Sequence, residues 1–500
     1  MRWVMKRKTE SISKDLDVNL EFIRKALGAD VSFDIIIREF RVARKRAALV
    51  FVDGFVKDEV LVHVMNAMQV AGREELLPGL LDRLRSDRLN YIEIDTKDSL
   101  NDLIREVLAG PLALLVEGER QALIIDARTY PTRAADEPDL ERVTRGSRDG
   151  FVETLVFNTA LIRRRIRDPR LRNVLLQVGK RSATDVVVSY IEDIADPGLV
   201  EDILTRLKGI EIDGVPMAEK TVEEFLEPSR RWWNPFPVVR FTERPDVAAI
   251  HLLEGHILVM VDTSPSVIIL PATFFHHLQH AEEYRQDVAV GFYLRWVRFF
   301  GVFVSWLLPP LWVALTMRPD LLPSALDFIG PKGTAPIPLP IQFLFAELGV
   351  DLIRLALIHT PNALATSLGI IGAVLLGQLA VETGVLQNEA ILYIAVGALG
   401  TFATPSMELG MAIRLMRILL LIAVALFGLV GFAVAFLANL ALLLFTKSFG
   451  VPYLWPLIPL DLRALQDILI LRPAPTKGRR IPVLNPRDPD RLPGTGGGGI

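Results

Sequence analysis

The chain contains no cysteine. Disulfides and thiolate metal sites are therefore excluded, and the redox compartment is left open. A surplus of either charge is also missing. The formal net charge is −3, which gives no bulk electrostatic reason to bind nucleic acid. The amino terminus, MRWVMKRKTESISKDL, has basic residues but no apolar h-region. No signal peptide is expected there, and the first domain is expected to stay in the cytoplasm. Charge itself is scarce in one long region. Of the 56 basic and 59 acidic residues, only 15 fall between Gly291 and Leu460. A charged soluble half followed by a membrane half fits this distribution. The 500 residues also exceed what one core usually holds.

What is present in the soluble half is α/β. FIRKALGADVSFDIIIREFRVARKRAALVFVDGFVKDEVLVHVMNAM reads helix, strand, strand, helix, with alternation in VSFDIIIREF and an apolar run in AALVFVDGF. The same order recurs from Leu161, in LIRRRIRDPRLRNVLLQVGKRSATDVVVSYIEDIADPGLVEDILTRL. Between the two copies, PLALLVEGERQALIIDAR predicts a hairpin turning at Glu117-Gly118. Two similar α/β units are expected, over 1–120 and 121–235. A strand-rich connector with an interfacial helix is expected over 236–290. Pro245 and Asp246 there suit a helix start, and Gly255 suits its end. The arginines of LIRRRIRDPRLR (163, 164, 165, 167, 170, 172) could form a phosphate or lipid patch. Neighbouring acids, Glu137, Asp139, Glu141, Asp149 and Glu153, nearly balance them, so a paired and solvated helix face is the plainer reading.

The transmembrane domain is expected over 291–460. Val297–Leu315 is long enough to span, with Pro309-Pro310 kinking its outer end. Ile341–Ile358 carries Glu347, Asp351 and Arg354. At roughly 3 kcal/mol per central charge these cost about 9 kcal/mol, against about 5 returned by the apolar residues, so the segment does not insert alone. An Asp351–Arg354 pair on one face is expected, with the helix buried against protein or lying at the interface. In Ser367–Val385, Gly369, Ala373 and Gly377 form a close-packing strip, while Gln378 and Glu382 share another face. Ala390–Ala403 is shorter, and Ile418–Phe445 is the strongest span, preceded by Arg414 and Arg417. This gives four crossings, or five if the charged segment crosses. The tail, 461–500, is polar and expected to be disordered.

Three stretches resemble a known family: EPDLERVTRGSRDGFVETLVFNTALIRRRIRDPRLR, RFTERPDVAAIHLLEGHILVMVDTSPSVIILP and SFGVPYLWPLIP. The chain resembles the GerA family of spore germination proteins, of A-subunit type, from about residue 15 to 475. FFHHLQHAEEYRQ resembles one branch rather than the A subunits of nutrient receptors. The resemblance implies a multi-pass protein of the inner spore membrane, with its N-terminal domain on the core side and a role in early cation release. It also implies a homo-oligomeric ion-conducting assembly that works with membrane lipids and other germination membrane proteins. The family is not known for enzymes, and the resemblance supplies no catalytic or ligand residue; no cofactor, metal or nucleic-acid partner is expected. Two rival functions stay open: a non-conducting scaffold that clusters receptors, and an amino-acid transporter.

The candidate intramembrane polar residues are Glu347, Asp351, Arg354, Gln378 and Glu382. A second candidate is the histidine stretch. On a continuous helix His276, His280 and Glu283 would share one face. With His277 they could be a metal site, a joint at the membrane interface, or a pH sensor.

Overall fold

The computed structural model describes the chain except residues 1–9, 43–44, 72–92, 129–140, 142, 228–231, 322–329, 331–332, 334–335, 361–363, 365–368, 373, 474–475, 477 and 492–500. It has two compact units. One comprises 1–229, 241–271 and 473–500, and the other 230–240 and 272–472.

The first unit holds two five-stranded sheets of the same design. In order along the chain come α1 (Leu16–Leu27), β1 (Ile35–Val42), β2 (Lys45–Val52), α2 (Asp58–Ala71), β3 (Ile94–Lys97), α3 (Leu100–Ala109), β4 (Leu112–Val116) and β5 (Ala122–Ile125). The sheet order is β1-β2-β4-β5-β3. Side chains alternate across a strand with period two, so both faces of β2 are used. Ala48, Val50 and Val52 pack against Leu16, Leu20, Ile23 and Leu27 of α1 and Leu103 and Val107 of α3. Ala47, Leu49 and Phe51 face Val64 of α2.

The second copy contains α4 (Leu155–Arg165), β6 (Leu171–Val178), β7 (Thr184–Ile191), α5 (Pro197–Lys208), α6 (Ala218–Leu226), β8 (Arg240–Thr242), α7 (Pro245–Glu254), β9 (Ile257–Val261) and β10 (Val267–Leu270). Its order, β6-β7-β9-β10-β8, repeats the first. Each copy is thus larger than the helix-strand-strand-helix pattern. The Glu117-Gly118 hairpin completes the first sheet, and the expected boundary at 120 would separate β4 from its partner β5. Strands β9 and β10, expected in a connector, complete the second sheet.

A buried network joins the copies. Arg163, fully buried, donates to Asp34 from Nε (2.9 Å) and Nη2 (3.1 Å). Asn173 Nδ2 also donates to Asp34, at 2.9 Å. Arg172 Nη1 donates to Leu27 O at 3.0 Å, just before Gly28 ends α1 with φ 63°. A Cβ at Gly28 would lie 2.4 Å from the Arg172 guanidinium carbon, so the residue must be glycine for both reasons. Arg165 pairs with Asp149 and Arg170 with Asp168. Of the acids expected to balance these arginines, Asp149 pairs with Arg165; Arg163, Arg170 and Arg172 pair instead with Asp34, Asp168 and Glu192, and Arg163 is core rather than solvated surface. Glu137 and Asp139 lie outside the described residues.

The tail is not structureless. Asp461 caps a helix, Leu462–Leu469, and described residues beyond 473 pack within the first unit. Arg480 Nε donates to Leu253 O (2.8 Å), and Arg487 N donates to Ile194 O (2.9 Å). Composition registers the arginines of this tail but not the main-chain carbonyls that receive them.

The second unit is helical: α8 (Phe274–Leu278), α9 (Val288–Thr316), α10 (Leu339–His359), α11 (Asn388–Phe402), α12 (Met407–Phe445) and α13 (Leu462–Leu469). Among the described residues, α9 and α12 are long and apolar enough to cross a membrane. Helix α9 begins well before Val297 and continues through Pro309 and Pro310 to Thr316. A straight α12 of 39 residues would measure about 58 Å. It is not straight. Gly428 has φ 59° and ψ −139°, a region open only to glycine. The two ends of α12 meet at one residue: Ser406 Oγ lies 3.2 Å from His277 Nδ1, and the Tyr453 ring lies 6.2 Å from the His277 ring. Tyr453 N donates to Thr446 O at 3.1 Å. Leu409 and Leu443 share one buried cluster. Helix α12 is thus two arms, 407–427 and 429–445, doubled back at Gly428.

Candidate functional site

The helical unit buries charge at its centre. Glu347, on α10, is 1% exposed, and Arg414 and Arg417, on the first arm of α12, are 3% and 1% exposed. Arg417 approaches Glu347 with Nε at 2.7 Å from Oε1, and its Nη2 donates to Oε2 at 3.0 Å. Arg414 Nη2 lies 3.2 Å from Glu347 Oε2 and donates to Glu347 O at 2.9 Å. Its Nη1 lies 2.9 Å from Asp351 Oδ1. Two carboxylates and two guanidiniums therefore balance.

Helical spacing explains the match. Glu347 and Asp351 are four apart on α10, and Arg414 and Arg417 are three apart on α12, so each pair shares a face. Two other helices complete the shell. Arg417 Nη1 donates to Ser305 O and Ser305 Oγ of α9, both at 2.8 Å. Ser305 Oγ lies 2.9 Å from Thr401 Oγ1 of α11. Glycines admit the guanidinium and the close helix crossing. An added Cβ at Gly397 would lie 3.0 Å from Arg417 Nη1, and one at Gly400 would lie 2.1 Å from Gly301 O. Such burial is stable only when every charge is matched. Removing one partner of a buried pair costs about 3–5 kcal/mol.

This corrects the expected Asp351–Arg354 pair. Arg354 is partly exposed and meets the Met411 thioether, while Asp351 belongs to Arg414. It also relocates Arg414 and Arg417. They do not precede the span but lie inside a helix that starts at Met407. The cost of carrying Glu347 and Asp351 is met by arginines 63 or more residues further along the chain.

Gln378 and Glu382 are exposed. Gln378 lies in a π-helical turn, Val374–Leu379, and Glu382 ends the short helix that follows, Ala380–Glu382. Among the described residues nothing lies within 4 Å of a Cβ placed on Gly369 or Gly377, while a Cβ on Gly372 would meet Ile353. Ala373 is outside the described residues.

The histidines do not share a helical face. Helix α8 is only five residues long and ends before Gln279, which is extended at φ −79°, ψ 136°. His276 Nδ1 accepts from Thr273 N at 3.1 Å in a capping box. His280 Nδ1 accepts from Glu282 N at 3.2 Å. Glu283, fully buried, pairs with Arg295 Nε at 2.8 Å and with Arg298. His277 is buried beside Arg240, and both effects push its pKa down to about 3, burial being the larger. On that value the buried imidazole is neutral near pH 7.

A family model described as Bacillus/Clostridium GerA spore germination protein matches residues 21–482. Stage V sporulation protein AF of Bacillus subtilis (strain 168) is 45% identical over 475 residues, covering 95% of this chain and 96% of that one. The uncharacterized membrane protein YfkQ of the same strain is 31% identical over 482 residues, covering 94% and 91%. Among solved structures, the N-terminal domain of the A subunit of the Bacillus megaterium spore germinant receptor GerK3 matches at 30% identity. It covers 54% of this chain and 99% of that one, with a TM-score of 0.43.

Proposed function

The chain belongs to the GerA family of spore germination proteins, and from that membership we propose that it acts in germination as a multi-pass, homo-oligomeric, ion-conducting subunit of the inner spore membrane. Its first unit lies on the cytoplasmic side. It works beside other germination membrane proteins and carries no catalytic role.

The membrane arrangement we propose has six crossings. The route runs outward along α9 and back along α10. It goes out through the segment ending at Glu382, back along α11, then out and back along the arms of α12. Three contacts support the antiparallel course of α10 against α9 and α12: Phe343 with Trp312, Glu347 with Arg417, and Arg354 with Met411. Stacking of Tyr393 on Trp312, with ring centroids 4.4 Å apart, and the Thr401–Ser305 contact support the same for α11. An even count also agrees with the chain leaving the first unit near residue 271 and rejoining it at 473.

The observation that carries oligomeric conduction is the incompletely packed face at Gly369 and Gly377. Small residues on an apolar helix permit close backbone approach, and a second copy would use that face. Copies around an axis would bring Gln378 and Glu382 into a ring, and a glutamate ring favours cations. The test is conductance of the purified protein in a planar bilayer, with oligomeric mass measured in parallel. Conduction that loses cation selectivity in Glu382→Gln while assembly is kept supports the reading. The pairing of Glu347 and Asp351 with Arg414 and Arg417 favours a second reading, a non-conducting scaffold, because it leaves those charges internally satisfied. An oligomer that never conducts would select it.

A further inference from the structure

Arg354 is the charge left over when the central network is balanced. Glu347 and Asp351 are committed to Arg414 and Arg417. Among the described residues Arg354 has no carboxylate within ion-pair distance, and its recorded contact is the Met411 thioether, a weak acceptor. The guanidinium has five donors and does not lose its proton, so such a contact leaves most of its hydrogen-bonding capacity unused.

Its surroundings define what can meet it. Leu352, Leu355 and Ile358 on the same helix are 58%, 54% and 62% exposed, an apolar surface suited to hydrocarbon. Arg354 is five residues from the end of α10 at His359, about 8 Å along the axis. Met411, beside it, is in the second turn of α12, whose cap Ser406 bonds His277. This end of the bundle is therefore the end where α9 begins. A long arginine side chain on a lipid-facing surface at that depth reaches the headgroup layer.

We propose that Arg354 binds the phosphodiester of a phospholipid in the leaflet on the side where α9 begins. The planar fork pairs with two phosphate oxygens at once, while the leucines and isoleucine beside it take the acyl chains. This rests on the membrane reading above but not on conduction.

The test is native mass spectrometry of the full chain in detergent, offered an equal mixture of phosphatidylglycerol and an uncharged glucosyl diacylglycerol. The parent should retain phosphatidylglycerol over the glycolipid. Arg354→Gln should retain about five-fold less of it, as expected for the loss of one basic residue at an anionic surface. Arg354→Lys, which keeps the charge, should retain more than Arg354→Gln, and all three should melt alike. Equal phosphatidylglycerol retention by parent and Arg354→Gln would overturn the assignment. So would unchanged retention with loss of oligomer in Arg354→Gln, which would place the carboxylate of a second copy there. If the parent retained no more of either lipid than a soluble protein does, the membrane reading itself would fall and take this site with it.

Discussion

Arg417 and Glu347 lie 70 residues apart in the chain, yet the guanidinium meets the carboxylate through both Nε and Nη2, with both side chains almost fully buried. Alone, each helix would bury charge of one sign here; together the two carboxylates of α10 and the two guanidiniums of α12 are neutral.

Glu347→Leu should therefore strand two buried guanidiniums with only Asp351 between them. A loss of about 3–5 kcal/mol is expected, seen as a lower melting temperature in detergent and poor accumulation in membranes. Arg354→Leu, which leaves the network intact, should cost under about 1 kcal/mol. Equal damage from the two substitutions would show that the network does not carry the stability of the bundle.

The doubling of α12 can be read by cross-linking, since the native chain has no cysteine to interfere. Leu409→Cys combined with Leu443→Cys should join within one chain when treated with a short bismaleimide. On a straight helix these positions would be about 51 Å apart and beyond reach. An absence of intramolecular product, with both thiols shown to be reactive, would reject the hairpin.

Gly400→Ala should destabilise the bundle by roughly 1–3 kcal/mol, because the new methyl would meet the main-chain oxygen of Gly301 on α9. Gly369→Ala meets nothing within 4 Å among the described residues of one chain and should leave a monomer's melting temperature near that of the parent. If the oligomer uses that face, however, Gly369→Ile should lower oligomeric mass without unfolding the chain.

His277 gives a pH dependence with a defined sign. Its folded pKa of about 3 lies below the ordinary value of 6.5. The unfolded chain therefore binds the extra proton between those values, and stability falls as pH drops through that window. Lowering the pH from about 7 to about 5.5 should remove about 1 kcal/mol through this residue. His277→Asn should abolish that part of the slope, as read from melting curves at the two pH values. An unchanged slope would place His277 in contact with water.

The duplicated α/β order was legible because alternation around β1 and the apolar runs of β2 and β7 are local signals. What was not legible was which later strands complete each sheet, since β9 pairs with β7 across some 70 residues. Pro405-Ser406 does mark a helix start, and Ser406 Oγ accepts from Leu409 N. Hydropathy outweighs that signal, so from sequence the span reads from Ile418 with Arg414 and Arg417 outside it. The complementary spacing of 347/351 and 414/417 was visible, but opposite charges on two helices specify a contact only once the helices are known to be neighbours. At the histidines no glycine or proline announces the end of α8 after Leu278, so a continuous helical face was drawn where the chain turns.

On the membrane arrangement proposed above, the one-residue reversal at Gly428 also bears on how the helical unit would insert. A hairpin with no connecting loop has almost nothing to carry across the bilayer except its own tip. From Ile418 to Phe445 the chain has no ionisable residue, so both arms can partition into lipid side by side with no charge translocated. The first arm's arginines stay behind, nearer the side of entry, where α10 already offers its two carboxylates. The order of synthesis, α10 before α12, thus places the counter-charges ahead of the residues that need them.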